Sequence, residues 1–413
     1  MRIEIHILQN FAPSNLNRDD TGSPKDAEFG GYRRARISSQ CIKRAVRRYF
    51  DTNRQALGFG EADLAIRTKR LLEEARRRLT KAGRDPAAID RAVTAALAAA
   101  KIAMKSDDPS LTQYLLFLGE AEIARFVALV DKHFDVLSTE TPSPDTADDK
   151  GKKKKTAKQQ KAEAKGAAPE EVQKAVPALL DGGKAADLAL FGRMLADLPE
   201  RSVDAACQVA HAISTNKIHS MEMDYFTAVD DINNDNPGAD MIGTVEFNSA
   251  CFYRYANLDV AELVGGYRDI KKTQPFGLQG DAKLARTTAN AFLRAFIHAV
   301  PTGKQNSFAA HNGPSLVFAV VRDGPPVSLA NAFAKPVAVH PQKDEGLIEK
   351  SIAALDGYYG RLVGMYGDGG LKASAVCQME GVELEHLKED VGSVEKLIAA
   401  IMKAVFDGGK ETP

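Results

Sequence analysis

Ile3, Ile5 and Ile7 alternate with Arg2, Glu4 and His6, a period of two that predicts a half-buried strand. The next apolar periodicity begins after Ser38-Ser39, either of which can cap a helix over Gln40 to Phe50. Ile42, Ala45, Val46 and Tyr49 recur at helical spacing on its core face, which leaves Gln40, Lys43, Arg44 and Arg47 on the others. The stretch between, Asn10 to Arg36, is polar and glycine-containing and reads as a loop. From Glu61 to Leu137 the period is helical. Leu64, Leu71, Leu72, Ala75 and Leu79 mark one helix, Asp85-Pro86 opens a second in cap-then-first-turn order, and Leu111 to Val136 forms a third.

Asp204 to Ile213 reads as a short helix, and Thr215 to Ile242 as a long polar hairpin or protruding loop around Asn236-Pro237-Gly238. A strand follows at Val245 to Tyr255, an amphipathic helix at Lys283 to Val300 and a buried strand at Leu316 to Arg322. Glu345 to Val363 and Val394 to Phe406 are helical, the latter capped by Ser393. With the helical insertion set aside, the order fits an α+β, ferredoxin-like βαββαβ core. RNA recognition motifs use that fold, and so do many unrelated proteins. Ser138 to Val176 stands apart. Thr141-Pro142-Ser143-Pro144 and the run Lys152 to Lys155 come with almost no large apolar side chain. Such a segment cannot bury enough surface to order itself. It is read as a disordered, solubilising loop, with contact between its lysines and nucleic acid the less favoured alternative.

At 413 residues and 44% hydrophobic, the chain has room for two or three domains with a substantial core. No apolar run is long enough to span a bilayer, and MRIEIHILQNF reads as a strand rather than a signal peptide. Cys41, Cys207, Cys251 and Cys377 are scattered without zinc or redox spacing, which points to free thiols in a reducing cytoplasm. The formal net charge is zero, yet Lys25 to Arg54 holds nine Lys/Arg against three Asp/Glu. Screening makes electrostatics local, so a neutral protein with one basic face can still hold a phosphate chain. The other reading is a solvated basic helix.

Four phosphate-binding devices are concentrated here. Gly30-Gly31 lets backbone N–H groups approach an anion, and Arg33, Arg34 and Arg36 supply forked donors. Ser38 and Ser39 stand at a helix N-terminus, and Lys43 and Arg47, one turn apart, continue the stripe beside Gln40 and Arg44. That concentration favours nucleic-acid binding over a structural turn. Other chemistries fare worse. Gly303-Lys304 resembles a P-loop ending, but His298 stands where the first glycine is required, so the loop is read as flexible and basic. His211 and His219 lack metal-ligand spacing. The serious rival is a two-metal nuclease built from Asp19-Asp20, Asp230-Asp231 and Glu246, although paired loop aspartates more often serve turns and caps.

The run NRDD…KDAEFGGYRRARISSQCIKR resembles the N-terminus of the CasC family, the backbone subunit of type I-E CRISPR Cascade. Further matches follow in order at AHAIST (210–215), YFTAVDD (225–231), VEFNS (245–249), FYRYAN (252–257), Lys304-Gln305 and SLANAF (328–333). The resemblance implies a modified RNA-recognition-motif palm (residues 1–56 and 244–413), a helical fingers insertion (57–200) and a protruding thumb with its base (201–243). It implies no catalysis and no cofactor. The implied partners are a guide crRNA, target DNA through that guide, neighbouring copies of the chain and other Cascade subunits. Arg18, Lys25, Gln40, Lys43 and Arg47 match positions that hold the RNA backbone, and Tyr225, Phe226 and Thr227 match the base-displacing thumb. Phe226 either wedges between bases or packs the thumb base; the sequence leaves both open. The lysine-rich segment has no counterpart in the family pattern.

Overall fold

The computed structural model describes residues 1–139, 169–181, 184–195, 201–218, 222–226, 243–265, 277–340, 342, 345–388 and 390–408. In chain order the elements are β1 (Arg2–Ser14), β2 (Asp26–Phe29), β3 (Tyr32–Ile37), α1 (Ser39–Thr52), β4 (Ala65–Thr68), α2 (Leu71–Lys81), α3 (Pro86–Ala99) and β5 (Leu116–Gly119). Next come α4 (Glu120–Lys132), α5 (Phe134–Ser138), α6 (Glu170–Leu179), α7 (Ala186–Phe191), β6 (Cys207–Val209), β7 (Ala212–Ser214), β8 (Glu222–Phe226) and β9 (Gly243–Asp259). The rest are α8 (Val260–Val264), α9 (Ala282–His298), α10 (Gln305–Phe308), β10 (Leu316–Arg322), α11 (Leu347–Tyr366), β11 (Leu371–Gln378) and α12 (Val394–Phe406). They fall into two units. One comprises Met1–Leu57, Cys207–Val260 and Arg286–Pro413; the other comprises Gly58–Ala206 and Ala261–Ala285.

The first unit is built on an antiparallel sheet in the order β11-β10-β1-β9-β7-β3-β2, with β6 and β8 also pairing β9. Along the chain, β1, α1, β6/β7, β9, α9 and β10 alternate as strand, helix, strand, strand, helix, strand. β1 pairs β10 on one side and β9 on the other, so it is central and buried on both faces. The alternating pattern had predicted a strand with one solvated face. The polar face is instead closed, and its groups pair within the protein except Glu4 Oε2, which has no hydrogen-bond partner among the described residues. Glu4 Oε1 accepts from Val327 N at 2.9 Å and Arg322 Nε at 3.3 Å, and His6 Nδ1 lies 2.8 Å from the Tyr253 hydroxyl. On that face Leu8, Tyr253, Phe318 and Val320 pack with Phe333, Ile352 and Leu355. On the opposite face Arg254 bonds Gln9 Oε1 and the Phe296 carbonyl of α9, both at 2.5 Å. Burial pulls this guanidinium pKa down to about 10.

Several local expectations change. The Asn10–Arg36 loop contains the end of β1 and the β2–β3 hairpin. Its two-residue turn needs positive φ at both positions, which Gly30 (62°) and Gly31 (79°) supply. Asp204–Ile213 forms β6 and β7 rather than a helix, since Cys207 and Val209 face inward and Gln208 outward against β9. β11 carries no clear alternation and was not foreseen. The Thr215–Ile242 arm begins as expected, with β8 paired to β9 from Glu222↔Phe247 to Phe226↔Gly243. Thr227 and the side chains of Tyr225 and Phe226 lie outside the described residues, as do His219, Asp230 and Asp231.

The second unit is helical around Leu72, Leu79, Val93, Leu97, Ile123 and Phe126, but it is not all-helical. β4 and β5 form a two-stranded sheet. The helix expected from Leu111 starts only at Glu120, because Leu116-Phe117-Leu118-Gly119 is a fully buried strand. A four-residue apolar run reads equally as strand or helix. Asp85 caps α3 as expected, accepting from Ala88 N at 3.0 Å. The segment expected to lack structure ends early: α6 begins at Glu170, and its Val172 and Val176 sit in the core. Residues 140–168 lie outside the described set.

Candidate nucleic-acid interface

The basic segment is organised around the N-terminus of α1. The Ser38 side chain caps the helix by accepting from Cys41 N, and Ser38 N donates to Asn17 Oδ1 at 2.7 Å. Asn17 O accepts from Lys25 N at 2.8 Å, and Asn15 Nδ2 bridges Gly22 O and Glu246 O. Asp19 Oδ1 accepts from Thr21 N, the Thr21 hydroxyl and Ser23 N. The Thr21 hydroxyl is the main reason that the Asp19 carboxyl titrates below its ordinary range. Residues 15–25 therefore form a folded turn pinned to the helix, and it presents Arg18 outward.

α1 buries Ile42, Ala45, Val46 and Phe50. At about 100° per residue, Gln40, Lys43, Arg44, Arg47 and Arg48 share one arc of roughly 140° on the opposite side. Gln40, Arg44 and Arg48 are exposed, and Lys43 and Arg47 are half-buried. Beside the arc lies an open cleft of about 500 Å³, lined by residues 16–19, by Cys41, Arg44, Ala45 and Arg48, and by Pro301, Thr302 and Gly303. Arg44 Nη1 comes within 3.5 Å of Thr302 Oγ1, and the Cys41 thiol donates to Leu16 O at 3.9 Å. Tyr49 stacks on His298 of α9 with ring centroids 6.5 Å apart. A Cβ on Gly303 would collide with the Leu16 carbonyl, so a glycine is what lets the 301–303 turn close this wall.

Other expected site residues have structural jobs. Arg34 is fully buried, and its guanidinium donates to the carbonyls of Ser214, Thr215, Phe333 and Ala334. It is a bolt between chain segments, not a phosphate fork. Arg33 is exposed but tied to Asp26. Arg36 donates to Asp26 O at 2.9 Å and lies 3.3 Å from His211 Nδ1. The α1 terminus is also occupied: Ser39 N points at His211 Nδ1, and Cys41 N at the Ser38 side chain. These two amides are spent inside the protein rather than offered to an anion. Burial, then Arg36 and Lys25, lower the His211 pKa, so its ring stays neutral and accepts. Gly30 gives way to Ala334 O, whereas Gly31 faces open space. Lys304 holds a left-handed conformation (φ 50°) before Gln305, whose amide ties Pro301 O to Ala310 O. That loop is folded, where the sequence suggested flexibility.

Arg48 and Thr302 escaped the sequence reading. The Arg44–Arg48 spacing of four lies in the sequence beside the 43/47 row, one helical turn apart like it. Thr302 comes from a distant segment and carries no local signal. For the acidic rival, Asp19 is a turn residue. Among the described residues no group of three or more His, Cys, Asp or Glu is placed to hold a metal, and Asp230-Asp231 falls outside that set.

The family described as CT1975-like protein matches residues 3–403. The chain is 31% identical to a solved chain titled "CRISPR RNA-guided surveillance complex, pre-nicking", covering 98% of this chain and 100% of that one, with a TM-score of 0.76. A second, titled "CRISPR RNA-guided surveillance complex", is 28% identical with the same coverage and a TM-score of 0.69. Among curated proteins none matches.

Proposed function

This chain belongs to the CT1975-like protein family, and on that footing we propose that it is a non-catalytic, RNA-binding backbone subunit of a type I-E CRISPR Cascade surveillance complex. Copies of it line up along a guide RNA, hold the sugar–phosphate chain and leave bases free to pair with target DNA. Other Cascade subunits complete the assembly. The observation that carries this reading is the cationic arc of α1, set beside the pinned turn that presents Arg18. The strand order β10-β1-β9-β7, with α1 and α9 as the connecting helices, suits a modified RNA-recognition-motif palm. The β8–β9 hairpin is the base of the thumb, and the second unit is the fingers.

No set of side chains on the arc is arranged to read base edges, so binding is electrostatic and indifferent to sequence. Filter binding of single-stranded RNA tests this. Affinity falls steeply with salt, and Lys43→Ala with Arg47→Ala weakens every RNA sequence alike. A flat salt dependence overturns the reading. Chemical probing of bound guide tests the arm: evenly spaced reactive bases are expected with residues 215–242 present. Asp230→Ala or Asp231→Ala leaves guide and target intact. Metal-dependent cleavage that either variant abolishes promotes the nuclease instead.

A further inference from the structure

His211 stands between β6 and β7, and the backbone on both sides of it is held by the sheet. Ala210 N donates to Tyr255 O of β9 at 2.9 Å, Ala212 pairs Ile37 of β3, and Ile213 pairs both Arg36 of β3 and Tyr253 of β9. The side chain is exposed, yet its Nδ1 faces two donors, Ser39 N and Arg36 Nη1, each at 3.3 Å. A backbone amide and a guanidinium can only donate, so Nδ1 carries no proton and the ring is the neutral Nε2–H tautomer. One lone pair shared by two donors also accounts for distances that are equal and longer than the roughly 2.9–3.0 Å of an unshared bond. Partial burial, Arg36 and Lys25 act in the same direction, and all three hold the ring's pKa below the ordinary 6.5.

The ring joins separate pieces of the RNA-binding face. Ser39 is the first residue of α1, where amides have no partner within the helix. Arg36 ties the β2–β3 hairpin to the turn before it, since its Nε donates to Asp26 O and its N to Lys25 O, both at 2.9 Å. Gln40 follows Ser39 directly, so Lys25 and Gln40, both expected on the RNA backbone, adjoin the two groups that His211 holds. We propose that His211 is a positioning residue of that face: its neutral ring fixes the start of α1 against Arg36, and RNA affinity has an acid limit because a protonated ring accepts from neither. This role rests on the RNA-binding reading and adds to it a residue that acts through its neighbours. Protonation replaces the acceptor by a further cation facing Arg36 and Lys25, and the clamp opens. The competent ring is the neutral one and its pKa lies below the ordinary value, so affinity is level above about pH 7 and falls below about pH 6. One excluded proton limits that fall to about tenfold per pH unit.

The test measures the affinity of full-length chain for a single-stranded RNA oligomer against pH at fixed ionic strength. His211→Asn puts an amide oxygen close to the place of Nδ1 and does not titrate, His211→Ala removes the acceptor, and Lys43→Ala/Arg47→Ala tests the face itself. Melting curves at each pH screen every chain for folding. Near neutrality His211→Ala should lose about two- to tenfold, the span of one ordinary hydrogen bond, and His211→Asn should recover it. Between about pH 7 and 5 wild type should weaken relative to His211→Asn, whose affinity holds. Parallel pH curves, or an Asn variant that binds no better than the Ala variant, overturn the role. A wild type that gains on His211→Asn in acid shows an imidazolium touching phosphate and overturns it too. His211→Ala binding like wild type, while Lys43→Ala/Arg47→Ala loses affinity, removes the positioning role and leaves the RNA-binding reading standing. No loss for that double variant overturns both. Nitrogen NMR of histidine-labelled chain gives a readout that needs no RNA and decides the case if His211→Ala fails to fold. The signal deleted by His211→Asn should report an Nε2–H ring near neutrality, and an Nδ1–H ring overturns the clamp.

Discussion

Two neighbouring arginines, Arg33 and Arg34, look interchangeable in the sequence and do opposite things. Arg33 makes an exposed pair, and such pairs contribute about 0–1 kcal/mol, so Arg33→Ala barely moves stability. Arg34→Ala strands four carbonyls, three of them in buried hydrogen bonds, that now share one guanidinium, each charged hydrogen bond being worth about 1.5–3 kcal/mol. Urea unfolding of both variants should separate them by at least about 3 kcal/mol. His6 supplies a pH signature. Burial holds its pKa below the ordinary 6.5, with Glu4 pulling the other way and Arg322 adding to the depression. The unfolded chain therefore binds a proton that the folded chain resists, and the stability is fully present above about pH 6.5 and drains away below it. Unfolding midpoints should fall between about pH 7 and 5, and His6→Gln, which does not titrate, should flatten that fall. Cys251 and Tyr253, buried beside this network, have their pKa values pushed up by burial and stay neutral throughout.

For elements, the sharpest expectations concern where structure begins. Deleting residues 140–168 should leave the chain soluble and folded, because loop-closure entropy changes slowly with length. Extending the deletion through Val176 removes two fully buried valines from the second unit, at about 3 kcal/mol or more, and thermal melting should show it. In the β2–β3 turn, Gly30→Ala should destabilise well beyond Gly31→Ala. Both bear the left-handed strain of about 1–2 kcal/mol, but only at Gly30 does the new methyl meet the Ala334 carbonyl. Helices with caps and full amphipathic faces were legible: Ser38, Asp85 and Ser393 each cap where the sequence put them. Leu316–Arg322 was equally plain as a continuous apolar run. What was not legible depended on partners elsewhere in the chain. β6 and β7 are three residues each and exist because β9 offers an edge. Glu4, His6 and Gln9 look solvent-facing until Arg322, Tyr253 and Arg254 arrive to bond them. The site divided the same way. The charge of Arg44 and Arg47 was visible, but Arg34's burial and Thr302's presence in the cleft were settled by contacts that no local spacing encodes.

For the whole molecule, zero net charge means that affinity for a polyanion has to come from placement. The charged groups on the arc are arginines and a lysine, residue types that ordinarily titrate well above neutrality. His211, the nearby titrating ring, is already held neutral by burial and by Arg36. RNA affinity at fixed ionic strength should therefore be level from about pH 7 to 9 in filter-binding assays. A tenfold fall across that interval would mean that an unrecognised titrating group takes part.

The centre of the first unit's sheet also sets a schedule for synthesis. Glu4 and its partner Arg322 are 318 positions apart, and β1 is flanked by β9 and β10, both made late. At about 5–20 residues per second, a nascent β1 waits roughly 15–60 s outside the ribosome with Ile3, Ile5 and Ile7 uncovered. A strand idle for so long, with both edges unpaired, is a template for aggregation. Chains truncated before Leu316 should emerge insoluble, and full-length yield should depend on chaperones that shield the first strand until the tenth arrives.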